Sequence, residues 1–292
     1  MTSVRRRLVP YGLLAPGLIW LIVFFVIPMY FMGELSLKTG SLESGFQLTW
    51  AFENYTDSIS QYSTQFLRAF YYAGIATFFC LLIGYPLAYA IAFKAGRWKN
   101  LMLFAVVAPF FTTYLIRTIA WKTILDDTSP VVSFLKTIHL VPQDGRVLAT
   151  SAAVIAGLTY NFLPFMVLPL FSALERLDRR LLEAGKDLYA STAQTFWRIT
   201  LPLTMPGIIA GVLLTFIPAA GDYVNATFLG GTNQAMIGNV IQSKYLVVND
   251  YPEAAALSFT LMAIILVALL LYIKFAGSEA LMVEAEVTLA CL

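Results

Sequence analysis

Few side chains in this 292-residue sequence stand where they could do chemistry. Asp222 follows Pro218 and Gly221 in an otherwise apolar run, with Tyr223 and Asn225 beside it. An aspartate at the centre of a membrane helix costs about 2.5–3.5 kcal/mol, so it faces a partner or an aqueous path. A carboxylate next to aromatic rings suits an ammonium group through charge pairing and cation–π attraction. The alternative is a solvated helix end at the outer membrane edge. Tyr160 and Asn161 make a second polar break in an apolar run. They either line the same path or form an interhelical hydrogen bond.

Groups for covalent chemistry are scarce. His139 sits in a polar connection without a second His, Cys or carboxylate cluster, so it is expected to be solvated rather than to ligate a metal. Cys80 lies inside an apolar run and Cys291 is next to last, so no disulfide is expected. Asp126, Asp127 and Asp144 fall on one outer connection, where they attract cations, dock a soluble partner or form a plain solvated loop. A membrane enzyme would need His, Cys or paired acids within its apolar runs, and Asp222 is the one acid placed there. No G-x-x-x-x-G-K-[ST] phosphate loop occurs, so ATP hydrolysis is not expected of this chain.

The elements that must position these residues are membrane helices. Apolar residues make up 59% of the chain and charged ones 12%, too little charge to cover a soluble globule of this size. The net charge is only +2, and basic residues are not interleaved with aromatic ones on one face, which excludes nucleic acid as a partner. A span needs about 20 mostly apolar residues, because a helix satisfies its own backbone in hydrocarbon. Six segments qualify: Leu8–Met32, Ala69–Phe93, Leu101–Ile124, Val147–Phe171, Leu203–Phe228 and Ala254–Phe275. The charge-free stretch Tyr223–Ser243 holds Gly230, Gly231 and Gly238 and reads as a loop with a short interfacial or re-entrant helix. Gly207 and Gly211 form a G-x-x-x-G step for close helix packing.

The run after Arg5, Arg6 and Arg7 is too long for a secretory signal and is expected to be retained as a span. The triple arginine places the N-terminus in the cytoplasm, and with six spans the C-terminus lies there too. Inner segments then hold 12 of the 19 Lys and Arg residues. Arg68, Arg117 and Lys122 flank or enter spans on the outer side, where they are expected to snorkel to the interface. The organisation is a basic N-terminus at 1–7, a six-span domain at 8–276 and an acidic tail at 277–292 that matches no readable pattern.

The longest and most charged inner connection is Leu177–Pro206. Leu181, Leu188, Phe196 and Ile199 fall within about 80° on one helical face, opposite Arg179, Arg180, Glu183, Lys186, Asp187 and Arg198. Such a helix either lies on lipid headgroups or projects into a groove on a soluble partner.

The segment resembles the cytoplasmic loop of permeases of ATP-binding-cassette importers. Glu183, Ala184 and Gly185 stand at the family's Glu-Ala-Ala triplet, and Ile199, Leu201 and Pro202 match its Ile-x-Leu-Pro ending. Two positions depart: Gly185 replaces the second alanine, and Tyr189 stands at the usual glycine, where a chain reversal between two short helices is easier with glycine. The likeness runs from about Asn54 to Phe275. GYPLAY (84–89), NFLPFMVLPLFSALERLD (161–178), LPLTMPGIIAG (201–211) and IGNVI (237–241) are similar to the spermidine/putrescine branch, parts of which permeases for other small solutes share.

The resemblance implies an all-α bundle of six transmembrane helices with a cytoplasmic coupling helix between helices 4 and 5, in the bacterial inner membrane. It implies separate ATPase subunits carrying ATP and Mg, with no cofactor bound by this chain. It also implies a second, homologous permease subunit and an extracytoplasmic solute-binding protein. Glu183 would anchor the loop in the ATPase electrostatically, with Leu188 and Phe196 filling the apolar part of its groove. Asp222 with Tyr223 matches an acid-Tyr-Val stretch of polyamine permeases.

Overall fold

The computed structural model describes residues 14–139 and 141–274 and is helical almost throughout. Arg5–Arg7, Cys291 and the acidic tail lie outside the described residues. The fold divides into two units, one drawn from Met1–Ser63 and Ile241–Met262, the other from Thr64–Val240 and Ala263–Leu292.

In the first unit, helix α1 (Leu14–Ser36) leaves nearly all its apolar side chains uncovered, Trp20 61% exposed and Phe24 65% among them. Such a surface belongs in hydrocarbon rather than water. An antiparallel hairpin follows, β1 (Lys38–Ser41) and β2 (Gly45–Leu48), with Lys38 opposite Leu48. Helix α2 (Glu53–Lys94) is tied back to the end of α1 near its start. Ser36 Oγ and Tyr55 OH are 2.6 Å apart, and Asn54 donates to the carbonyls of Ser36 and Lys38 at 2.9 and 3.1 Å.

The second unit carries most of the chain: α3 (Gly96–Phe111), α4 (Tyr114–Ile124), α5 (Pro130–Thr137), α6 (Ser151–Arg176), α7 (Arg179–Asp187), α8 (Thr192–Leu203), α9 (Met205–Ala220) and α10 (Val224–Leu229). Helices α11 (Ile237–Ser243) and α12 (Tyr251–Tyr272) contribute to both units, as does α2. Thr150 caps α6 by accepting from Ala153 N–H, and Ser129 caps α5 ahead of Pro130.

Helix α6 is the core, with Leu158, Met166, Leu170 and Leu174 fully buried. The G-x-x-x-G step of α9 packs on it: a Cβ at Gly207 would lie 2.5 Å from Ala173 Cβ, and one at Gly211 2.7 Å from Met166 Sδ. Cys80 donates to Thr159 O from α2, a structural role.

Helices α1, α2, α6 and α12 are each long and apolar enough to cross a membrane, and α3 with α4 and α8 with α9 make two bent pairs that raise the number to six if each pair is one span. Two expected spans are not continuous helices. The segment Leu101–Ile124 turns through 95° at Thr112 and Thr113, which are extended. Pro109, three residues earlier, supplies no N–H to hold the helix together. The segment Leu203–Phe228 bends by 64° at Thr204 and its helix stops at Ala220, so Asp222 lies in the break before α10 rather than within a helix.

The loop read as one amphipathic helix is two, α7 and α8. Tyr189 reverses the chain between them at φ 57°, the left-handed geometry glycine adopts readily, and Ala190 N–H donates to Gly185 O. Gly185 is buried, and a Cβ there would lie 3.0 Å from Ile199 Cδ1, so alanine would require the tip of Ile199 to shift by a few tenths of an ångström. Because Tyr189 is 98% exposed, Tyr189→Gly forfeits no packing and removes left-handed strain of roughly 1–2 kcal/mol, partly offset by glycine entropy. Slower amide hydrogen exchange across residues 185–191 is the expected result, and faster exchange the contrary one.

Candidate functional site

The break between α9 and α10 places Asp222 at the wall of a cavity of about 540 Å³. Asp222 is 8% exposed, which corresponds to a buried group rather than a solvated helix end. The polar groups around it form one chain. Tyr114 OH, from the first turn of α4, donates to Asp222 Oδ2. Asn225 N–H donates to Asp222 Oδ1 at 2.8 Å, and its side-chain amide donates to Tyr114 OH at 2.6 Å. Asn161 Nδ2 on α6 donates to Asn225 Oδ1 at 3.1 Å. Asn161 also lines the cavity, and its Oδ1 accepts no hydrogen bond among the described residues.

Rings complete the wall. Phe110, Phe162, Phe165 and Tyr223 line the cavity with the acid. Phe110 meets Phe165 edge-on at 5.1 Å. A carboxylate, an unpartnered amide oxygen and several ring faces together form an acceptor-rich pocket for a donor-rich cation.

The sequence-predicted residues are only partly brought together. Asp222, Asn225 and Asn161 meet, and Tyr223 lines the same cavity. Tyr160, one residue from Asn161 and so turned about 100° around the helix, packs against Trp121 at 5.3 Å instead. Tyr114 and Arg117 are the residues sequence reasoning missed. Arg117 does not snorkel: it is 8% exposed, over the rings of Phe110 and Tyr114 at 5.1 and 5.6 Å. The bend at Thr112 and Thr113 turns α4 so that its first turn faces the cavity.

The IGNVI segment holds this break in place. Asn239 donates to Tyr223 O at 2.9 Å and to Thr227 Oγ1 at 2.7 Å. A Cβ at Gly238 would lie 2.6 Å from Gly221 O and 3.1 Å from the carbonyl of Asp222. Gly238→Ala is therefore expected to displace the Asp222 backbone and cost about 1–3 kcal/mol. A lower thermal unfolding midpoint of the purified protein would show this, whereas an unchanged midpoint would mean that the segment gives way freely.

Away from the cavity, the loop residues divide by exposure. Glu183, Ala184 and Pro202 are exposed, as is Leu188 at 81%, whereas Phe196, Ile199 and Leu201 are partly covered. Phe196 meets Tyr85 of α2 edge-on at 5.5 Å, and Tyr85 OH is 2.9 Å from Thr204 Oγ1 at the α8–α9 bend. His139 is exposed, and no group of three or more His, Cys, Asp or Glu that could hold a metal occurs among the described residues. Asp126 accepts from the hydroxyl and N–H of Thr128, which hold its carboxyl below the usual range, and Asp127 lies 3.7 Å from Arg146.

Comparison with known proteins places this arrangement. Residues 7–277 match the family model described as binding-protein-dependent transport system inner membrane component. The spermidine/putrescine transport system permease protein PotB of Haemophilus influenzae is 40% identical over 268 residues, covering 91% of this chain and 93% of the relative. The inner membrane ABC transporter permease protein YdcU of Escherichia coli is 34% identical, covering 73% of this chain and 71% of the relative. Among solved structures, a chain of a bacterial ABC transporter importing the acidic polysaccharide alginate superposes with a TM-score of 0.67 at 20% identity, covering 94% of this chain and 97% of its own, a likeness of fold. The chain therefore belongs to the family of binding-protein-dependent transport system inner membrane components.

Proposed function

We propose that this chain is the membrane-spanning subunit of an ATP-driven importer of polyamines of the spermidine and putrescine class. The observation that carries the solute class is the buried Asp222 carboxylate in an aromatic cavity beside the buried, unpartnered Oδ1 of Asn161. An ammonium group donates to both oxygens while its methylene stem lies along the rings. The permeases named for spermidine and putrescine that the chain resembles over nine-tenths of its length support the same class. Asp222, Asn161, Asn225 and Tyr223 line the path, and Tyr114 OH holds the carboxylate until an ammonium replaces it. Tyr160 stands behind them against Trp121.

In this reading six spans cross the membrane, each bent pair counting as one, with both termini cytoplasmic. The exposed turn around Glu183, Leu188 and Tyr189 seats in a separate ATPase that holds ATP and Mg, and Phe196 and Tyr85 pass its motion to α2. A homologous second permease and an extracytoplasmic binding protein complete the assembly. The test is ATP hydrolysis by the reconstituted complex on adding binding protein loaded with spermidine. Stimulation by spermidine-loaded but not empty binding protein is expected. Equal rates with both would contradict the solute class.

A further inference from the structure

Arg117 lines the Asp222 cavity, yet its Nε and Nη1 are buried with no hydrogen-bond partner among the described residues. Its side chain is 8% exposed, and no ion pair within 4 Å reaches it among those residues. Asp222 makes no ion pair with it within 4 Å, and its carboxylate accepts from Tyr114 OH and Asn225 N–H instead. A buried guanidinium needs an anion to offset its lost hydration.

A second feature points to the same ligand. Helix α4 is 11 residues long and begins at this cavity, with Thr112, Thr113 and Tyr114 in the lining. Thr113 is its N-cap but makes no side-chain cap, leaving the first-turn N–H groups open. The positive end of the helix dipole and the fork of Arg117, one turn further on, thus converge on one place.

From this convergence we infer that Arg117 and the N-terminus of α4 form an anion subsite in the cavity, taking a chloride-sized inorganic anion or a carboxylate carried by the solute. The inference stands on Arg117 and α4 and does not depend on the polyamine reading. It also answers an electrostatic difficulty in that reading, since the positive charge of Arg117 lines the cavity that a polycation would enter. A bound anion restores the negative cavity that a polycation requires.

Chloride NMR line broadening on the complete complex, with no solute present, tests the subsite whatever the complex transports. Broadening is expected with wild type, retained with Arg117→Lys and weakened about tenfold in affinity with Arg117→Gln. Adding γ-aminobutyrate, which carries an ammonium and a carboxylate, separates the two sources. Displacement of chloride by it but not by putrescine assigns the subsite to a solute carboxylate, and no displacement assigns it to an inorganic anion. Equal broadening with wild type and Arg117→Gln overturns the subsite.

Discussion

Replacing Asp222 by asparagine is expected to cut ATP-dependent spermidine uptake by about 10–100-fold while the complex still assembles and hydrolyses ATP. The substitution keeps the shape of the side chain and removes its charge. The lost charge-assisted hydrogen bonds to an ammonium are each worth about 1.5–3 kcal/mol. Folding should change modestly, since asparagine retains an oxygen for Asn225 N–H and spares a buried charge its desolvation, which offsets the cost of about 1–3 kcal/mol of leaving Tyr114 OH without its acceptor. Uptake by vesicles containing the complete complex, with assembly followed by co-purification, checks both halves. Wild-type uptake by Asp222→Asn would remove the carboxylate from the path.

Glu183→Ala should act at the other end, weakening ATPase binding and abolishing uptake without disturbing the cavity. Glu183 is exposed on α7 and Gly185 is buried against Ile199, so the fold does not depend on the carboxylate. Truncating a charge that becomes buried at an interface costs about 2–5 kcal/mol, a loss of some 30-fold or more in affinity. Titrating the ATPase against the reconstituted permease measures the loss. A variant with wild-type affinity and uptake would sink this account of the loop.

Much of the site was legible because polar residues in apolar runs are conspicuous. Asp222, Asn225 and Asn161 announce themselves this way, and all three share one hydrogen-bonded chain. Tyr160 was equally conspicuous, but helical rotation turns it to Trp121. Tyr114 and Arg117 were hidden by the bend, since Pro109 marks a weak point in the helix but neither the 95° angle nor its place at Thr112 and Thr113. Read on a straight helix, Arg117 lies near the end of a span and snorkels; on the bent one its side chain is buried under two rings.

The loop shows the complementary case. Its apolar spacing suggests a single helix, because periodicity counts residues and does not register a reversal at Tyr189. The two departures from the family pattern sit in distinct surroundings: Gly185 packs against Ile199, and Tyr189 takes the left-handed turn at full exposure. The all-α class was plain from composition, while the breaks at Thr204 and Gly221 depend on tertiary contacts such as Tyr85 with Thr204 and Gly238 with Gly221.

The central claim is import of polyamines, and uptake of labelled spermidine and putrescine into proteoliposomes holding the complete complex tests it most directly. ATP-dependent accumulation of either amine is the predicted result. No accumulation of either by a complex that hydrolyses ATP in response to its binding protein would contradict the polyamine assignment.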